Sequence, residues 1–257
     1  MNRSAHASLA AVALLAASPA HAVTNQDGQV LITQAAVNAG NITPGDTPGF
    51  PVTISIGGSY RLGSNLTVTS AANGIEVKAN DVTIDMGGFT LAGSGVGRNG
   101  ITSFNRNTRL RDGSVRGFTL DGVRTIGQLL AVEHMVIAAN GRYGVYTDDT
   151  NVNASSYASI ANSKVITNGL DGVLCARHCR VENSLVSKNV GNGIVFADSG
   201  ALALGNTVTE NGQNGIYFYS FGGGAGNNVV MQNALGQMTG TVRQMQPNAC
   251  SPACPPL

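Results

Sequence analysis

Four stretches of the chain repeat one phrase: NGRYGVYT (140–147), NGLDGVLC (168–175), NVGNGIVF (189–196) and NGQNGIYF (211–218). Each has Asn, three residues, Gly, then Ile or Val. The Gly recurs at positions 74, 100, 122, 144, 172, 193 and 215, at intervals of 26, 22, 22, 28, 21 and 22. A period near 22 with insertions is the signature of a solenoid, in which each repeat buries its apolar side only by stacking on its neighbours. The offsets can be tested on other residues. From Ile75 they reach Ile101, Val123, Val145, Val173, Ile194 and Ile216. From Phe89 they reach Val115, Ile137, Val165, Val186, Val208 and Val230; from Ile84, Leu110, Val132, Ile160 and Val181. Three apolar columns kept in phase through insertions, each on short alternating segments, call for strands rather than helices. The frequent Val, Ile and Thr agree.

These spacings predict an all-β, single-stranded, right-handed parallel β-helix over residues 51–236. Asn140, Asn168, Asn189, Asn211 and Asn233 then stack at one corner, where each amide can bond the ones above and below. The glycines are expected at sharp bends with positive φ. Residues 23–50 are expected to form an N-terminal cap and connector, with a short helix in QVLITQAAVNAG (29–40). Residues 237–257 lose the repeat and read as a C-terminal cap or tail.

The first 22 residues have a basic start at Arg3, an apolar run from Leu9 to Ala17, and Ala20-His21-Ala22 as a cleavage site. This predicts a signal peptide and an exported, periplasmic or secreted protein. No later apolar run is long enough to span a membrane. Without residues 1–22 the chain carries 14 basic and 14 acidic residues. That balance argues against nucleic acid as a partner. The four cysteines, in CARHC (175–179) and CSPAC (250–254), suit disulfides in an oxidising compartment. Three pairings are possible; Cys175–Cys179 and Cys250–Cys254 are expected. No second Cys/His pair with ligand spacing accompanies His178, so no metal and no cofactor is expected.

The NGI and DGV phrases at fixed spacing after Asn resemble the repeats of pectin-lyase-like parallel β-helices. The stretch GGSYRLGSNLTVTSAANGIEVKANDVTIDMGGFTLAG (57–93) is similar to the opening coils of exported bacterial β-helix repeat proteins without assigned activity. The resemblance implies the fold over roughly residues 30–236. It leaves function open, because this fold hosts lyases, hydrolases, epimerases, adhesins and inert scaffolds.

The resemblance also directs attention to one outer sheet face. Outward positions beside the Gly-Ile column are Glu76, Thr102, Arg124, Tyr146, Leu174, Val195 and Tyr217, followed two residues on by Lys78, Phe104, Ile126, Asp148, Ala176, Ala197 and Tyr219. Arg124, Tyr146, Phe104 and Lys78 are the candidate ligand-binding residues, since rings stack on sugars and guanidinium binds carboxylates. Asp148 and Asp149, with Arg124, are the candidate catalytic set, at the base of the largest insertion. TDD faintly echoes the acidic cluster of polygalacturonases, but the Gly-His-Gly and Arg-x-Lys motifs of that family are absent. The leading reading is a non-catalytic glycan-binding or envelope interaction scaffold. The alternatives are a polysaccharide lyase, hydrolase or epimerase acting on an acidic glycan, and a purely structural oligomer. A monomer is favoured over a homo-oligomer, with the apolar late coils covered by the 148–157 insertion or the tail. Asp85, Arg111 and Glu133 form a charge column, and Met86, Asp112, His134, Asn162 and Asn183 a polar one.

Overall fold

The computed structural model describes residues 28–147, 157–252 and 254. Asp148 and Asp149, and the leader at 1–22, lie outside the described residues. The chain winds into a parallel β-helix whose coils each contribute to three sheets. The first sheet stacks Val52–Ile54, Ile75–Val77, Ile101–Ser103, Val123–Thr125, Val145–Thr147, Val173–Cys175 and Ile194–Phe196. It continues into the start of Asn214–Gly226 and of Gly236–Gln244. The second sheet begins with Val30–Ile32 paired to Gly58–Leu62. The third begins at Leu66–Thr67 and ends at Ala249–Ser251.

Every pairing is parallel and joins residues one repeat apart, so like residues stack at about 4.8 Å. The Ile75 column pairs as expected from Ile75 through Ile216 and adds Met238. The third-sheet column starts one step differently: Leu91, not Phe89, pairs with Val115. The Gly87-Gly88 turn inserts two residues between the second and third sheets of that coil, and both glycines have positive φ, 58° and 81°. The same insertion turns Met86 into the core, where it is fully buried, and removes it from the polar column.

Each coil turns three corners, and left-handed residues recur at matching corner positions from coil to coil. One column is Ala139, Thr167, Lys188, Glu210 and Gln232, with φ of 54° to 59°. Another is Asp112, His134, Asn162, Asn183, Gly205 and Asn227; the third includes Asp81, Asn107, Leu129, His178, Gly200 and Gly222. The repeated Gly is not among them, which corrects the expectation of positive φ. Its role is steric. A Cβ on Gly144 would lie 2.4 Å from Val165 Cγ1 and 2.5 Å from the Gly172 carbonyl oxygen; on Gly193 it would lie 2.5 Å from the Gly215 oxygen. The chain needs Gly where the next coil leaves no room.

The expected N-terminal cap helix is present, while the C-terminal end differs from expectation. Residues 29–40 are half strand and half helix: Val30–Ile32 joins the second sheet, and only Gln34–Ala39 is helical. Thr33 Oγ1 caps that helix by accepting from the Ala36 N–H, and Gln34 Oε1 accepts from the Thr67 N–H at the edge of the third sheet. Val37 plugs the core with no exposed surface. At the other end the β-helix runs past residue 236. Gly236–Gln244 and Ala249–Ser251 form one more coil on the first, second and third sheets. Residues 237–252 therefore continue the coil and do not fold back over the late-coil face.

Candidate functional site

The first sheet turns its outer side chains in the order Glu76, Thr102, Arg124, Tyr146, Leu174, Val195 and Tyr217 along the stack. Strand alternation puts the neighbours of these residues, the Ile75 column and the Val77-to-Phe218 column, inside. Inside, Phe196 and Phe218 stack with centroids 5.0 Å apart. This rigid interior fixes the outer side chains.

On the outer face, Arg124 lies over the Tyr146 ring, 5.4 Å from its centroid. Tyr146 stacks on Tyr143 at 5.0 Å, and Arg142 lies over Tyr143 at 5.2 Å. Guanidinium, ring, ring and guanidinium thus form one continuous assembly across two coils. Guanidinium groups favour the negative face of a phenol ring. Arg142 Nε also lies 3.7 Å from the fully buried Asp121, whose carboxylate accepts from the Tyr143 N–H.

Of the residues expected here, the structure joins Arg124 and Tyr146. Phe104 sits on an earlier coil, 39% exposed, and does not touch them in any ring contact. Lys78 is a further coil away and is ion-paired with Glu76 at 3.0 Å. Beside that pair, Asn73, Glu76, Arg98 and Asn99 line a polar hollow of about 310 Å3. Arg142 and Tyr143 were missed. The signal was present: the residue before the repeated Gly is Asn73, Asn99, Asp121, Asp171, Asn192 and Asn214 in other coils, and Tyr143 alone breaks that run.

The predicted corner ladder is complete. Asn140, Asn168, Asn189 and Asn211 each donate a side-chain N–H to the next Asn Oδ1, at 2.9–3.0 Å, ending at Asn233. Gln237 closes the column by accepting from Asn233. Two further columns were not anticipated. Asn206, Asn228 and Asn248 form one, and the residues before the repeated Gly form the other, including Asn99 to Asn73 and Asn214 to Asn192.

Both disulfides form as expected, Cys175–Cys179 and Cys250–Cys254, with Cα separations of 5.9 and 5.1 Å. Cys175 and Cys179 are buried; Cys250 belongs to the third-sheet column, paired with Val230. His178, between the first pair, stacks on Tyr157 at 4.8 Å. At the same corner the Ser199 N–H, then the Arg177 guanidinium at 2.5 Å, hold the Asp198 carboxyl below its ordinary range. Asp85 and Arg111 form the expected ion pair at 2.9 Å, while the partner of Glu133 is Arg109, at 3.8 Å. His134 Nδ1 lies 3.7 Å from Asp112 in the polar column. Among the described residues no group of three His, Cys, Asp or Glu is placed to hold a metal ion, and no helix is long and apolar enough to cross a membrane.

The fold defines a parallel β-solenoid, and the sequence says which kind. The family described as right handed beta helix region matches residues 53–235, and the chain belongs to it. No curated protein matches by sequence. Among solved structures, the chain is similar to the periplasmic alginate epimerase AlgG, crystallised as a point mutant, with 13% identity and a TM-score of 0.62. That match covers 80% of this chain and 56% of that one, so the chain spans just over half of its length. The A-module of the Azotobacter vinelandii mannuronan C-5 epimerase AlgE6 has 14% identity over 87% of this chain and 66% of that one, with a TM-score of 0.49. The Dettilon tailspike protein has 12% identity over 71% of this chain and 46% of that one, with a TM-score of 0.47.

Proposed function

We propose that the protein is an exported scaffold that binds an acidic polysaccharide on the outer face of its first sheet, without turning it over. The observation that carries this reading is the Arg124–Tyr146–Tyr143–Arg142 assembly. Guanidinium forks pair with carboxylates, and the phenol rings border the site with an apolar edge and a hydroxyl. A rigid, preformed site loses little entropy on binding. Exposed Phe104 and the hollow at Glu76 and Arg98 extend the same face toward the N-terminal coils, enough for a linear chain to run along the stack. The likeness to a periplasmic alginate epimerase supports a glycan as the ligand class only through the shared scaffold.

The test uses the protein from residue 23 onward, titrated with alginate, polygalacturonate and neutral dextran by calorimetry. The same mixtures are assayed for new reducing ends, unsaturated uronate and changed epimer ratio. Binding of an acidic polymer but not dextran, lost in Arg124→Ala and Tyr146→Ala, is the expected result. Product formation would replace the scaffold by an enzyme. Equal binding of dextran, or binding untouched by both substitutions, would move the site elsewhere.

A further inference from the structure

Seven Asn-Gly dipeptides lie in the sequence, at Asn73, Asn99, Asn140, Asn168, Asn192, Asn211 and Asn214, and every one sits at the corner between the third and first sheets. Asn-Gly is the pair most prone to spontaneous deamidation, because Gly leaves its backbone nitrogen open to attack the side-chain amide carbon. In that reaction the Gly nitrogen bonds to Asn Cγ and the Cγ–Nδ2 bond breaks. The nitrogen's proton leaves with Nδ2 as ammonia. Water then opens the cyclic imide at either carbonyl to give aspartate or isoaspartate.

The fold blocks this chemistry twice at the same atoms. The attacking nitrogens are engaged: the N–H groups of Gly74, Gly100, Gly141, Gly169, Gly193 and Gly212 donate to carbonyls of adjacent coils at 2.7–2.9 Å. The attacked amides are engaged as well. Asn168 Oδ1 accepts two donors from Asn140, Asn211 Oδ1 accepts two from Asn189, and Asn192 Oδ1 accepts two from Asn214. Asn140, Asn168 and Asn211 are 0–2% exposed. Asn214 differs. It ends its column, because the residue paired with it on the last coil is Gly236.

We infer that these Asn-Gly sites are latent modification sites, all but Asn214 closed while the coils are stacked and opened only when a coil unstacks. The product cannot rejoin the ladder. An aspartate at 211 has no N–H to give to Asn233 Oδ1, and would face that oxygen with a buried charge. Isoaspartate also lengthens the backbone at a corner where the next coil leaves no space. Opening of a coil is therefore recorded as a covalent change, and an opened molecule is marked against refolding.

The experiment incubates the intact protein in mildly alkaline buffer, folded or in urea, and follows each Asn-Gly peptide by mass spectrometry. In urea all seven should convert. In the folded protein Asn140, Asn168, Asn192 and Asn211 should convert at least about tenfold more slowly, since reaction then requires local opening. Asn214 should convert first of the seven. In Asn189→Ala the rates at Asn168 and Asn211 should rise while those at Asn73 and Asn99 stay low. Equal rates folded and unfolded, or Asn168 as fast as Asn214 in the folded protein, would overturn the inference. The wild-type ordering decides it even if Asn189→Ala does not fold.

Discussion

At the scale of single residues, space and backbone conformation have been divided between different positions. Gly144 has an ordinary φ but no room for a Cβ, whereas Thr167 is left-handed at φ 56° with its side chain outward. Gly144→Ala should then lower stability by about 1–3 kcal/mol, as overpacking against backbone does. Thr167→Gly should leave stability unchanged or raise it, because left-handed conformation costs a non-Gly residue about 1–2 kcal/mol. Thermal melts of the two variants check the pair, and the opposite order would mean the roles are reversed. Asn189 is 1% exposed, accepts two bonds from Asn168 and donates to Asn211. Asn189→Ala should cost about 1–3 kcal/mol by leaving neighbouring amides unsatisfied. A variant that kept its stability but lost polysaccharide binding would make Asn189 a site residue instead. The ladder was legible because Asn recurs at one offset. The steric role of the Gly was not, since a sequence carries the residue type without the distance to the next coil.

At the scale of strands and corners, each apolar column is a row of single side chains with one partner above and one below. Val165 and Ile194 are fully buried, so Val165→Asp or Ile194→Asp should abolish soluble folded protein, an unpaired charge in such a row being unaffordable. Circular dichroism and gel filtration read this out, and normal yield with an unchanged melt would refute the register. Two of the three sequence columns had the right members throughout. The third began at Phe89 instead of Leu91, because a two-residue insertion at Gly87-Gly88 shifts the phase within a coil while leaving the 26-residue spacing of the first sheet intact. The Arg124–Tyr146 neighbourhood followed from the same offsets. Tyr143 and Arg142 escaped notice because they lie on the corner, which was read only for its Asn and Gly.

At the scale of the whole molecule, the solenoid is closed at its N-terminal end by the Gln34–Ala39 helix, and the last coil is built from residues first taken for a tail. Deleting residues 238–257 would strip the strand paired to Ile216 and Phe218 and the one paired to Val230. The truncated protein should bind hydrophobic dye and aggregate; a monomer with no new dye binding would show that this coil contributes little. The central claim is that the long outer face of the first sheet meets an acidic glycan at the Arg–Tyr assembly. A crystal structure with a bound acidic oligosaccharide tests it most directly. The account predicts sugar density beside the Tyr143 and Tyr146 rings, with a carboxylate within hydrogen-bond distance of Arg124 or Arg142. Density on another face, such as the cavity of about 820 Å3 floored by Gly222, Gly223 and Gly224, with none beside Tyr146, would contradict it.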